Sequence, residues 1–388
     1  MDYRNFKDTS MPHRAQSIAL IALLLVTHLG AAQAQTVRPE VVASDLQNPW
    51  AVAFLPEGRF LVAERPGRMR VIEASGKVGS ALDGLPKIAA GGQGGLLDLV
   101  LDAEFAQNRT LYFCFSEPGP AGNSSALARA RLSDDRTRLE DVKVIFSQQP
   151  KMASSAHFGC RIAQSQQAGK SDGMLFMTLG ERFVRKDDAQ KLDNHHGKII
   201  RIHKDGRVPA DNPFVGRAGA LPEIWSYGHR NVQGATVAAD GVLWTHEHGP
   251  QGGDEINLPQ PGRNYGWPVI SYGENYGGGR IGDGITAKDG MEQPLHYWVP
   301  SIAPSGMAFL TSERYGRAWV GNLFVGSLKF GYLDRIELAQ PFRGKVVREH
   351  KLLADLGDRI RDVRQGPDGL LYVVTDKASG QLIRLLPN

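Results

Sequence analysis

Beyond its first 35 residues the chain rarely repeats apolar positions at the three-to-four-residue spacing of a buried helix face. Its apolar residues come in short runs bounded by Gly, Pro, Asn and Asp, the pattern of β-strands closed by turns. One unit recurs loosely: an apolar strand, a turn containing Gly, then a second apolar strand. It reads "WAVAFLPEGRFLVAER", "DLVLDAEFAQNRTLYFCFSE", "GCRIAQSQQAGKSDGMLFMTLGER", "GATVAADGVLWTHEHG", "PSGMAFLTSERYGRAWVGNLFVGSL" and "IRDVRQGPDGLLYVVTDKASGQLIRLL". The copies recur irregularly, at roughly 45 to 75 residues. Sheets repeated around a channel lose their free edges when the ring closes, so the pattern predicts an all-β, six-bladed β-propeller with its active site at one end of the channel. A pair of sandwiches is the alternative, disfavoured because the repeat covers nearly the whole chain.

The first 34 residues break this pattern. Basic His13 and Arg14 precede "SIALIALLLVTHLG" and then Ala32-Gln33-Ala34, which reads as a cleaved secretory signal over 1–34, leaving 35–388 as a single propeller domain in the periplasm or secreted. The apolar run is too short for a stable bilayer span of about 20 residues. A net charge of +4, part of it in the leader, excludes a polybasic nucleic-acid stripe. Only Cys114 and Cys160 are present, in no metal-ligand spacing; a bridge and two buried thiols both remain open.

The candidate chemistry sits where strands meet turns. His157 in "SSAHFGCRI" precedes the third unit, and its imidazole can take a proton near neutral pH. "SYGHRNVQGA" clusters His229, Arg230 and Asn231 before a strand, with Arg230 offering a rigid fork of donors. Lys329 lies inside the apolar run "GSLKFGYL", where an unpaired cation is costly and argues for an anionic ligand; Arg359 and Arg361, two apart in "DRIRDV", share a strand face. "HEHGPQGGDEINLPQPGRNYGW" does not match the H-E-x-x-H zinc pattern, but its Gly and Pro leave backbone carbonyls free for a hard cation such as Ca²⁺. Gln93, in "AGGQGGLLDL", is an amide in a Gly-rich turn that lacks the helix of a dinucleotide fingerprint.

In their order, "NPWAVAFLPEGRFLVAERPGRMRVI", "GQGGLLDL", "HFGCRI", "GHRNVQG", "HEHGPQGGDEIN", "NYGWPVISYG", "SIAPSGMAF", "GSLKFGYL" and "DRIRDV" span Asn48 to Leu386. Together they resemble the soluble quinoprotein glucose/sorbosone dehydrogenase family, especially its aldose sugar dehydrogenase branch. The resemblance implies pyrroloquinoline quinone (PQQ) and Ca²⁺ at the channel mouth, and oxidation of an aldose at C1 to a lactone by hydride transfer to the quinone. An external electron acceptor, a quinone, cytochrome or dye, would complete turnover. His157 matches the general base and Arg230 the group beside the reacting quinone oxygen. Gln93 and Asn231 match residues around cofactor and cation, Lys329, Arg359 and Arg361 the cations on the PQQ carboxylates, and Gly249 and Pro250 the carbonyl pair on calcium. Tyr297 and Trp298 are the candidates for the sugar-side aromatics. Two departures stand out: Ala156, where glucose-specific relatives carry an acidic residue that would orient the base, and Glu181 in "TLGERF". Competing readings are a calcium-dependent propeller lactonase, which needs carboxylate and Asn ligands in the channel, and a non-catalytic binding propeller.

Overall fold

The computed structural model describes residues 36–167 and 169–388; the expected signal over 1–34 lies outside them. These residues form six antiparallel four-stranded sheets. An N-terminal strand, β1 (Val37–Leu46), is followed by blade 1: β2 (Pro49–Leu55), β3 (Arg59–Glu64), β4 (Arg68–Ile72) and β5 (Val78–Ala81). Blade 2 is β6 (Leu96–Leu101), β7 (Thr110–Gly119), β8 (Gly122–Leu132) and β9 (Leu139–Ser147). Blade 3 is β10 (Ile162–Gln167), β11 (Lys170–Thr178), β12 (Lys198–His203) and β13 (Ile224–Tyr227). Blade 4 is β14 (Val232–Val237), β15 (Leu243–Glu247), β16 (Asp254–Asn257) and β17 (His296–Trp298). Blade 5 is β18 (Pro304–Phe309), β19 (Leu323–Ser327), β20 (Leu333–Gln340) and β21 (Arg343–Leu352). Blade 6 takes β22 (Ile360–Gln365), β23 (Leu371–Thr375) and β24 (Gly380–Pro387) from the C-terminus, and β1 supplies its fourth strand. Val37 pairs Pro387 and Leu46 pairs Gly380, so the two ends of the chain close the ring by hydrogen bonds.

Each unit seen in the sequence begins on the innermost strand of a blade and runs into the second. Innermost strands face neighbours on both sides and are buried almost throughout, as in β2 and β18. Outermost strands such as β5 and β21 are half-buried or exposed, which is why their pattern is faint. Consecutive innermost strands pack around the ring from β2 through β22 and back to β2. The apolar core fills the wedges between blades: one cluster joins blades 1 to 3, another blades 5, 6 and 1, a third blades 4 and 5. Near the axis the approach is close enough to demand glycine. A Cβ on Gly306 would stand 2.4 Å from the Asp362 carboxylate and the Val363 nitrogen.

This topology gathers the site. In an antiparallel four-strand meander, the start of the innermost strand and the turn joining the second strand to the third lie at the same end. Gln93, His157, Arg230 and Arg359 precede innermost strands; Arg65, Glu181, Gly249, Lys329 and Asp376 follow second strands. All therefore meet at one mouth of the channel. Lys329, inside its apolar run, occupies the turn after β19, and Arg359, expected to share a strand face with Arg361, stands one residue before β22. A Cys114–Cys160 disulfide ties β7 to the segment entering β10. No helix among the described residues is long and apolar enough to cross a membrane.

Candidate active site

A cavity of about 730 Å³ opens at this mouth. Arg65, Lys329, Arg359 and Arg361 line it together with the amides of Gln93, Asn231 and Gln233 and the ring of Trp50. One carboxylate, Asp376, faces the four cations, and it already accepts from Arg361 at 2.7 Å and Arg359 at 3.2 Å. Arg361 keeps a buried Nε without a partner, its guanidinium lies 5.7 Å from the Trp50 ring, and burial pushes its pKa down. No carboxylate pairs Lys329 among the described residues. The donor set is thus unbalanced toward positive charge, which suits a polyanionic ligand and leaves the carboxylate–Asn ligand cluster of a lactonase unmet.

Beside the cavity stands His157, 4% exposed and at a left-handed φ of 50°. Such a conformation costs a non-glycine residue on the order of 1–3 kcal/mol and persists only where the surroundings over-determine it. Here they do. The His157 N–H donates to Gln93 Oε1 at 2.8 Å, and the next amide but one, that of Gly159, donates to Asn231 Oδ1 at 3.2 Å. Buried Arg182 donates to the carbonyls of Ala156, Ser154 and Asn123 and lies 3.8 Å over the Phe158 ring. Gln93 and Asn231, expected around a cofactor, line the cavity and also brace the His157 segment.

The ring of His157 is oriented by Glu181, whose Oε2 sits 2.6 Å from Nδ1. This carboxylate occupies the role for which the sequence at Ala156 offered nothing. It comes from the next turn of the same blade, where Arg182 and Phe183 both adopt positive φ and the Phe183 N–H donates to the same Oε2 at 2.8 Å. With Nδ1–H given to Glu181, the Nε2 lone pair is free, and no hydrogen bond engages it among the described residues. Burial is the main cause holding the His157 pKa below its ordinary value, with Glu181 partly offsetting it, so the ring is a neutral acceptor at neutral pH.

Arg230 lies deep between the turns. A buried triad of Ser226, His229 and Glu247 locks its backbone: Ser226 Oγ meets His229 Nε2 at 2.9 Å, His229 Nδ1 meets Glu247 Oε1 at 2.9 Å, and the Arg230 N–H donates to Glu247 Oε2. Its Nη1 donates to the Gly249 carbonyl at 2.6 Å and the His248 carbonyl at 3.0 Å. The Pro250 carbonyl accepts no hydrogen bond among the described residues. No cluster of three or more His, Cys, Asp or Glu suited to a metal occurs among them, and the hard donors this turn presents are carbonyl oxygens.

A model of the Glucose / Sorbosone dehydrogenase family matches residues 46–384. The chain belongs to the glucose/sorbosone dehydrogenase family. It is 44% identical over 382 residues to the aldose sugar dehydrogenase YliI of Escherichia coli K12, covering 97% of this chain and 99% of that one. The structure of the soluble aldose sugar dehydrogenase from Escherichia coli in its apo-form superposes with a TM-score of 0.85 at 43% identity, covering 91% of this chain and 100% of that one. The PQQ-bound form of an aldose sugar dehydrogenase from Streptomyces coelicolor does so with a TM-score of 0.73 at 27% identity, covering 91% and 99%.

Within this family fold, one pair of sequence expectations requires correction. Tyr297 and Trp298 do not line the cavity. They lie on β17, the outermost strand of blade 4, where Trp298 is buried in the core and donates to Glu349 while Tyr297 stacks on Tyr272 at 3.9 Å. Aromatic rings do reach His157 and Arg230, but from elsewhere: Phe183 is 5.2 Å from the His157 ring, and Arg230 lies 5.2 Å from Trp267 and 5.8 Å from Tyr276. Sequence reasoning also missed Arg65, Gln233 and Asp376. Arg65 had a usable signal, a basic residue in "ERPGR" at the end of a second strand, the position that Lys329 occupies in its own unit.

Proposed function

We propose that this chain is a PQQ- and calcium-dependent dehydrogenase that oxidises aldose sugars at C1 to lactones and passes the electrons to an external acceptor. The observation that carries the reading is the pairing, at one channel mouth, of a cavity lined by four cations with a neutral His157 whose Nε2 is open. PQQ is flat and bears three carboxylates, so Arg65, Lys329, Arg359 and Arg361 suit its charge, Trp50 its plane, and Gln93, Asn231 and Gln233 its polar edge. When bound, it supplies the hydride acceptor, and calcium supplies the Lewis acid that polarises the accepting carbonyl.

The chain's own residues do the rest. His157 Nε2 accepts the proton of the sugar's anomeric hydroxyl, Glu181 keeps the opposite nitrogen protonated so that the correct lone pair faces outward, and the imidazolium formed is stabilised by that carboxylate. Gly249 and Pro250 are the carbonyl pair for calcium, and Arg230 holds one of them. The leader and the disulfide suit a periplasmic or secreted enzyme.

Reconstitution tests the proposal. Purified protein given PQQ and Ca²⁺ is expected to reduce a dye in proportion to added aldose, and neither cofactor alone should suffice. Hydrolysis of sugar lactones without any redox activity would replace this reading with the lactonase.

A further inference from the structure

One buried charge near the mouth takes no part in the proposed chemistry. Lys198 opens β12, is fully buried, and does not line the cavity with the four cations. Its ammonium pairs with no carboxylate among the described residues. It donates instead to three backbone carbonyls, those of His196 at 2.5 Å, Asp188 at 2.9 Å and Ala189 at 3.1 Å. A buried charge is costly unless its hydrogen bonds are satisfied, and here three N–H groups meet three oxygens. Carbonyls turned inward on a cation are what a loop offers a bound metal ion; in this loop the cation is part of the chain.

All three carbonyls belong to the connection between β11 and β12 (179–197), the loop that carries Glu181. The gathered loop docks on the turn of Arg230. The Ala189 carbonyl that receives Lys198 also accepts from the Gly228 N–H at 2.9 Å, and the His229 N–H donates to the Gly197 carbonyl at 3.1 Å. At the other end of the loop, the Leu179 N–H donates to the Lys198 carbonyl and the Glu181 N–H to the Arg230 carbonyl, both at 2.9 Å. Gln190 Nε2 reaches the carbonyl of Trp267, the aromatic residue beside Arg230, at 2.7 Å.

We infer that Lys198 is a positioning residue: its ammonium gathers the β11–β12 loop and seats it against the turn of Arg230, so that Glu181 is held on His157. Its effect on turnover rests on the dehydrogenase reading above; its effect on the His157–Glu181 pair does not. Burial pushes the Lys198 pKa down to about 7, with Asp188 and Asp193 opposing. The three-carbonyl cage is therefore complete below neutral pH, the range in which His157 titrates. Glu181 raises the His157 pKa, so a loosened loop lets it fall.

The test reads His157 in Lys198→Met and in Lys198→Gln, which keeps two of the three donors, with Glu181→Gln as reference. In NMR titration of the cofactor-free protein, both Lys198 variants are expected to lower the His157 midpoint, as Glu181→Gln does. Combining Lys198→Met with Glu181→Gln should lower it no further, since the contact is already lost. In the reconstituted enzyme, plateau kcat should fall about tenfold in Lys198→Met and less in Lys198→Gln, with KM little changed, as expected when a catalytic pair is displaced. A folded variant with the wild-type His157 midpoint overturns the positioning role even where its Tm has fallen, because lost stability alone does not move that midpoint. Should neither variant fold, NMR of wild type with nitrogen-labelled lysine decides: an ammonium signal shielded from exchange with water is expected, and its absence overturns the clamp. Absence of any sugar-dependent dye reduction by wild type would count against the dehydrogenase reading alone, and the His157 titration still decides the role of Lys198.

Discussion

At the residue scale the proposed base is His157, and its environment sets the pH dependence expected of it. A base works only when deprotonated. Because burial holds this imidazole below the ordinary 6.5, kcat/KM should rise with pH through a midpoint below 6.5 and then level off by neutral pH. Glu181 is the main opposing influence, raising the pKa by hydrogen bond and charge. Glu181→Gln should therefore move the acid limb to lower pH while lowering plateau kcat, since an amide no longer dictates which nitrogen carries the proton. A profile that moved to higher pH would contradict this account of the pair. His157→Ala should cost about 10²–10⁴-fold in kcat and leave PQQ affinity, followed by quenching of Trp50, largely intact. His157 was legible because a histidine stands just before an innermost strand. Glu181 was not recognised as its partner, since 24 residues of strand and turn separate them and only the hairpin of blade 3 brings them together.

At the element scale the turn from His248 to Gly253 holds Arg230 and is the proposed seat of the cation. A Cβ on Gly249 would lie 2.2 Å from the Gly252 carbonyl oxygen, so the turn folds tightly upon itself and presents its oxygens in fixed positions. The Gly249 oxygen is taken by Arg230, a cation that repels Ca²⁺ from the same atom. Calcium alone should thus bind weakly and raise Tm little, whereas calcium with PQQ should raise it by several degrees, the anionic quinone adding ligands and offsetting the guanidinium. Thermal scans with each additive singly and together measure the coupling; a large shift from calcium alone would place its site elsewhere. Innermost strands and the turns after second strands were readable because burial on both faces forces continuous apolar runs ending abruptly in polar residues, as at Lys329. Outermost strands carry no such constraint, and that is how Tyr297 and Trp298, on β17, were mistaken for site residues. The connection between β16 and β17 (258–295), which carries Tyr276, is far longer than its counterparts in the other units, so repetition could not indicate where it ends.

At the scale of the whole molecule, a single buried guanidinium ties the ring together beneath the cavity. Arg161, 2% exposed, reaches Asp98 of blade 2 at 3.2 Å and Asp362 of blade 6 at 2.9 Å. It donates to the carbonyls of Gln233 in blade 4 and Arg361 in blade 6, and stacks 4.1 Å over Trp50 of blade 1. Arg364 completes a square of two cations and two anions, 2.6 Å from Asp98 and 2.9 Å from Asp362. Deleting one corner leaves a buried carboxylate uncompensated, so Arg161→Met should destabilise by about 3–5 kcal/mol and loosen PQQ binding, because Trp50, Gln233 and Arg361 lose a shared anchor. Arg161→Lys keeps the charge but not the fork, and should recover only part of the loss. The cause can be separated from mere loss of packing. If charge imbalance dominates, adding Asp362→Asn to Arg161→Met restores a balanced Asp98–Arg364 pair and the double variant should be more stable than Arg161→Met alone, a favourable coupling where two independent lesions would show none. Simple additivity in urea unfolding would show that the square contributes shape and not charge.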